Sequence, residues 1–87
     1  MAKHFRARWE DGKGEYLEYT VLVEDLGGGN VRLSFKGSVS SGLKIKVLNH
    51  AVQVKCDFAD DNAITQAIRD ELAKHHPKMN FKITRTK

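Results

Sequence analysis

Apolar and polar residues alternate with a period of two through the first two-thirds of the chain. Phe5, Ala7 and Trp9 alternate with His4, Arg6 and Arg8. Leu17, Tyr19, Val21 and Val23 alternate with Glu18, Thr20, Leu22 and Glu24, and Val31, Leu33 and Phe35 with Arg32, Ser34 and Lys36. This period marks a strand with one buried face. In all three segments the odd-numbered residues form that face.

The intervening turns predict how the strands pair. Gly12-Lys13-Gly14 suits a three-residue hairpin loop, with glycine available for positive φ. A centre at Lys13 places Trp9 opposite Leu17, Ala7 opposite Tyr19 and Phe5 opposite Val21. It also sets Arg8 against Glu18 on the other face. Gly27-Gly28-Gly29 predicts a second loop, and a centre at Gly28 pairs Val23 with Leu33, Val21 with Phe35 and Glu24 with Arg32. A third hairpin is predicted from Leu43–Val47 and Val52–Cys56, folded at Asn49-His50. It would set Lys44 against Lys55, a like-charge pair that needs solvent screening or an anion.

The period changes after Phe58. Ile64, Ala67, Ile68, Leu72 and His75 recur at helical spacing. Asp60, Asp61 or Asn62 can cap the start, and Pro77 closes the helix near His75. Met79, Phe81 and Ile83 alternate again as a last strand. The predicted fold is α+β: a largely antiparallel sheet of five to six strands with one amphipathic helix, in the order β-β-β-β-β-α-β.

That arrangement has a covering problem. Six strands spaced about 4.8 Å apart span roughly 24 Å, whereas a helix is about 10 Å wide. The remaining apolar face needs a sheet curled into a half-barrel or a second copy of the chain. A homodimer is the expectation, because monomers rarely expose large apolar patches.

Composition narrows the class. The 87 residues suffice for one domain, 1–87, with a single core. No run of about 18 apolar residues exists to span a membrane, and the N-terminus shows no secretory pattern. The one cysteine, Cys56, cannot form an internal disulfide. The expected compartment is therefore a reducing one, the cytoplasm of a cell or of an infected host.

Motifs for catalysis are absent. Cys56 falls on the apolar face, where a thiolate is disfavoured, and the serines lack an elbow motif. His4, His50, His75 and His76 show no metal-ligand spacing and read as turn and helix-end residues. The glycine run joins two strands, unlike a phosphate loop. Neither an enzyme, nor a cofactor, nor a metal site is expected.

Charge offers the remaining signal. The net charge is +4, from 15 basic and 11 acidic residues, and the stretch from Leu26 to Cys56 carries no acid. The polar sheet face is predicted to gather Arg6, Arg8, Arg32, Lys36, Lys44, Lys46 and Lys82, with Lys55 facing Lys44 and Tyr16 on the same side. Cations on a sheet can follow a phosphate backbone, and a tyrosine can stack on a base. The expected function is non-enzymatic nucleic-acid binding. Single strands fit better than duplex, since the only helix carries Asp70 and Glu71. The alternative is a protein–protein module, such as a phage-type regulator or inhibitor docking on a larger host complex by its sheet edge, its apolar face or, against an acidic protein surface, its basic face.

Overall fold

The computed structural model describes residues 1–87. Five strands and one helix run in the order β1 (Ala2–Glu10), β2 (Tyr16–Gly27), β3 (Asn30–Val39), β4 (Ala51–Lys55), α1 (Asp61–His75) and β5 (Lys82–Arg85). The strands make one open sheet, ordered β4-β3-β2-β1-β5, with every neighbouring pair antiparallel. The fold is α+β.

The first two hairpins have the registers that the turns imply. Trp9 faces Leu17, Ala7 faces Tyr19 and Arg8 faces Glu18. In the second, Val23 faces Leu33 and Glu24 faces Arg32, with a bulge between Asp25 and Gly27. Glycine is required at that turn: Gly27, Gly28 and Gly29 all have positive φ, at 78°, 62° and 79°.

The third hairpin differs from expectation. Residues 43–50 form no strand. Ala51–Lys55 pairs instead with β3, placing Val52 opposite Leu33 and Lys55 opposite Asn30. Lys44 and Lys55 are therefore not cross-strand partners. The reason lies in the covering problem. Leu43, Ile45 and Val47 alternate because they pack on the core beside Leu48, which is itself buried. The segment lies over the apolar face rather than extending the sheet.

Two local features guide this segment. Gly37 occupies an apolar-face position opposite Tyr19. A Cβ there would overlap Val47 Cγ1 and come within 2.7 Å of the Tyr19 ring. The bare glycine thus leaves the space that Val47 fills. At the segment's start, the Ser40 N–H donates to the Tyr16 carbonyl (3.0 Å), and the Tyr16 N–H donates to Ser40 Oγ (2.9 Å). The Ser40 hydroxyl donates to the Glu15 carboxylate.

The helix covers the rest of the face through Ile64, Ile68 and Leu72. Asp60 caps its start, accepting from the N–H groups of Asn62 and Ala63 at 3.0 and 3.1 Å. Among large apolar side chains only Met1 and Leu26 are exposed. The cover expected from a second copy is supplied within the chain.

A buried lysine joins the helix start to the sheet. Lys3 stands at an apolar-face position of β1, opposite Val23. Its ammonium donates to the Phe58 carbonyl (2.6 Å) and to Asp61 Oδ1 (2.7 Å), and lies 4.6 Å from the Phe58 ring centre. Arg85 of β5 reaches the other Asp61 oxygen at 3.0 Å. The hydrogen bonds from Lys3 and Arg85 hold the Asp61 carboxyl below its ordinary pKa.

Tyr19 supplies a second buried polar junction. Its hydroxyl accepts from the Leu48 N–H at 2.9 Å and lies 2.8 Å from His76 Nε2. With one lone pair engaged by Leu48, a neutral His76 with Nε2 unprotonated gives the hydroxyl proton an acceptor. Burial favours that form by pushing the His76 pKa down, helped by the neighbouring His75.

Two outcomes follow from these junctions. Tyr19→Phe leaves the Leu48 N–H and His76 Nε2 without their partner, and should cost about 1–3 kcal/mol in urea unfolding. The Asp61 contribution is complete above the unfolded value of about 3.9 and is lost as pH falls through the lower folded value. Thermal melts from about pH 5 to pH 2.5 should therefore show a shallower acid loss in Asp61→Asn than in the parent.

Candidate nucleic-acid interface

The sheet's second face carries the even-numbered residues of β1, β2, β3 and β5 and the odd-numbered residues of β4, and has no helix over it. The strand registers arrange them in rows. Lys82, Arg8, Glu18 and Ser38 form one, followed by Thr84, Arg6, Thr20 and Lys36. The next contains His4, Leu22, Ser34 and Ala51, and then come Ala2, Glu24, Arg32 and Gln53. Lys55 stands beyond, opposite Asn30.

Six of the expected cations therefore share this face: Arg6, Arg8, Arg32, Lys36, Lys55 and Lys82. They do not form a uniform patch. Arg6, Arg8, Lys82 and Lys36 occupy two adjacent rows, whereas Arg32 and Lys55 lie toward the opposite end beside β4. The row of His4, Leu22, Ser34 and Ala51 between them carries neither an arginine nor a lysine. Lys44 and Lys46 fall outside the face altogether. Both are exposed on the covering segment, and Lys46 lines a depression with His50 and His75 on the helix side.

Carboxylates occupy some of these cations. Glu18 Oε1 lies 3.1 Å from Arg8 Nη1 and 3.6 Å from Arg6 Nε. Arg8 Nε also binds Glu10 at 2.5 Å, and Arg32 lies 3.5 Å from Glu24. Hydrogen bonds to Glu10 and Glu18 raise the pKa of the Arg8 guanidinium, which stays charged. No carboxylate pairs with Lys36, Lys55 or Lys82, whereas those around the arginines would share or yield their partners to an incoming anion.

Tyr16 stands at the face's corner, opposite Glu10. The Arg8 guanidinium carbon sits 4.5 Å from its ring centre. This cation–π contact occupies one face of the ring that a base would use.

Beside β5 the surface forms an open groove of about 520 Å³, lined by Arg6, Arg8, Glu10, Asn80, Lys82 and Thr84. None of these side chains is apolar. Lys82 and Arg8 face each other across the β1–β5 pairing, and Arg6 follows one strand repeat, about 6.8 Å, along β1. The groove presents three cations and one carboxylate to solvent.

One constellation escapes a reading from spacing. His50, just before β4, meets Glu71 and His75 of α1, with their ligating atoms all within 4.8 Å. Burial raises the Glu71 pKa, but His50, Lys74 and His75 offset this, leaving the carboxyl below its ordinary range. The available signal was Glu71-x-x-x-His75, one helical turn apart on one face; His50 joins only through the tertiary fold.

In comparisons with known protein families, curated proteins and solved structures, nothing matches this chain. No helix is long and apolar enough to cross a membrane.

Proposed function

We propose that this chain binds nucleic acid without catalysing a reaction, holding the phosphate backbone along the groove over the β1–β5 pair. The observation that carries this reading is the groove's lining: Arg6, Arg8 and Lys82 converge there with polar Asn80 and Thr84, one carboxylate, Glu10, and no apolar side chain. Such a surface suits a charged, solvated backbone better than an apolar ligand. Lys36 shares Arg6's row and extends the track across the sheet.

Single strands fit the arrangement better than duplex. The cations lie on a strand-built surface, and the helix presents Asp70 rather than a basic row. With Tyr16 partly covered by Arg8, contact to phosphate outweighs base stacking, and little sequence preference is expected. The lone thiol, Cys56, fits a reducing compartment such as the cytoplasm. An acidic protein surface is the alternative partner, and the same experiment separates the two.

Fluorescence anisotropy with a labelled single-stranded oligonucleotide tests the proposal. Neutralising three phosphates gives a log–log salt slope of about −2, or roughly twentyfold weaker binding between about 50 and 200 mM salt. Arg6→Glu and Lys82→Glu should each weaken binding about tenfold or more at low salt, while Lys44→Glu and Lys46→Glu leave it within about twofold. Equal losses from both pairs, or no binding at low salt, would overturn the reading in favour of another partner.

The central carboxylate gives an independent test. Glu18→Gln removes the charge bridging Arg6 and Arg8. Oligonucleotide affinity should rise severalfold in the same assay, with a steeper salt slope as both arginines become available.

A further inference from the structure

We propose that His50, Glu71 and His75 form a binding site for a divalent first-row transition ion of the zinc type. This site lies on the helix side of the sheet and stands independently of the basic face. Its three ligand types, two imidazoles and a carboxylate, suit such an ion.

The distances match the ligand spacing of a metal site, and the His50–Glu71 contact is also a long hydrogen bond. His50 Nε2 and His75 Nε2 both address the same oxygen, Glu71 Oε2, at 3.3 and 3.4 Å. Charge-assisted N–H···O bonds are shorter, about 2.7–2.9 Å. Zinc holds nitrogen and oxygen ligands at about 2.0–2.2 Å in a tetrahedron, which separates neighbouring ligand atoms by about 3.3–3.5 Å. Two of the three ligand–ligand edges already have that length. The third, between the imidazoles, is within 4.8 Å, and rotation of the partly exposed His50 side chain can close it.

The ligands stand on fixed backbone. Glu71 and His75 are one turn apart on α1, and the Glu71 side chain is only 8% exposed. The His50 carbonyl accepts from the Phe35 N–H at 2.8 Å, tying the third ligand to the middle of β3. Glu71 Oε1 keeps Lys74 at 3.4 Å, leaving Oε2 for the ion. The adjoining depression, of about 460 Å³, includes Lys46 and Asn49. A fourth coordination position on that side is open to water or to an oxygen of an anionic ligand.

The test uses the whole chain, stripped of metal with a chelator. Calorimetry with zinc should show one ion per chain, and cobalt(II) should give the intense visible bands of a four-coordinate site. His50→Ala and His75→Ala should each weaken zinc binding by more than about a hundredfold, exceeding the roughly 10–100-fold effect of losing an outer partner. Replacing His4, on the opposite sheet face, should leave it unchanged. Circular dichroism checks that the variants fold. In the parent protein, zinc should shift the imidazole nitrogen resonances of His50 and His75 but not His4. Absence of binding at about millimolar zinc, unchanged affinity in the two alanine variants, or shifts centred on His4 would overturn the site.

Discussion

A tyrosine hydroxyl buried in the central strand must find partners there or cost several kcal/mol, about 2–7 if left bare. Tyr19 meets that constraint with one group from the covering segment, the Leu48 N–H, and one from the helix end, His76. Its ring also packs edge-on against Phe35 and beside Phe81. The sheet, its cover and the helix exit are thus tied to one side chain. Leu48 and His76 meet at this one hydroxyl, which joins the covering segment to the helix end.

The two sides of the sheet handle charge differently. On the covered side charge occurs singly and with its partners fixed: Lys3 against Asp61, and Glu71 among His50, Lys74 and His75. Losing a partner costs most at Lys3 and Glu71, whose side chains are only 11% and 8% exposed. On the open side arginines and glutamates interleave at solvent-exposed positions, where pairing is worth little and partners exchange readily. An incoming phosphate can therefore compete for the arginines without disturbing the fold.

The hairpins β1–β2 and β2–β3 were legible because short glycine turns and uninterrupted alternation constrain register twice over. A slip by one residue would expose Val21 and Phe35 and bury Glu18 and Lys36. Residues 43–47 alternate just as cleanly, yet their apolar side chains lie over the sheet rather than belonging to it. Period two reports a half-buried extended segment and says nothing of backbone pairing. This moved Lys44 and Lys46 off the basic face, while Arg6, Arg8 and Lys82 came together as their strand phase implied. Lys3 and Glu71 were hidden for another reason. Each is a charged residue at an apolar-phase position, stabilised by partners distant in sequence. His50 likewise reaches Glu71 only after β4 has docked on β3.

The pairing of β1 with β5 has a consequence for when the groove exists. Strands β1 to β4 form a meander in which each strand docks beside its predecessor, joined by local connections. Strand β5 must return past the helix to reach the first strand, closing the longest loop in the molecule at the greatest entropic cost. One wall of the cationic groove is therefore available from the earliest hairpin, whereas Lys82 arrives with the step that completes the sheet. Local opening of this short edge strand would separate Lys82 from Arg6 and Arg8 while the other strand pairings persist.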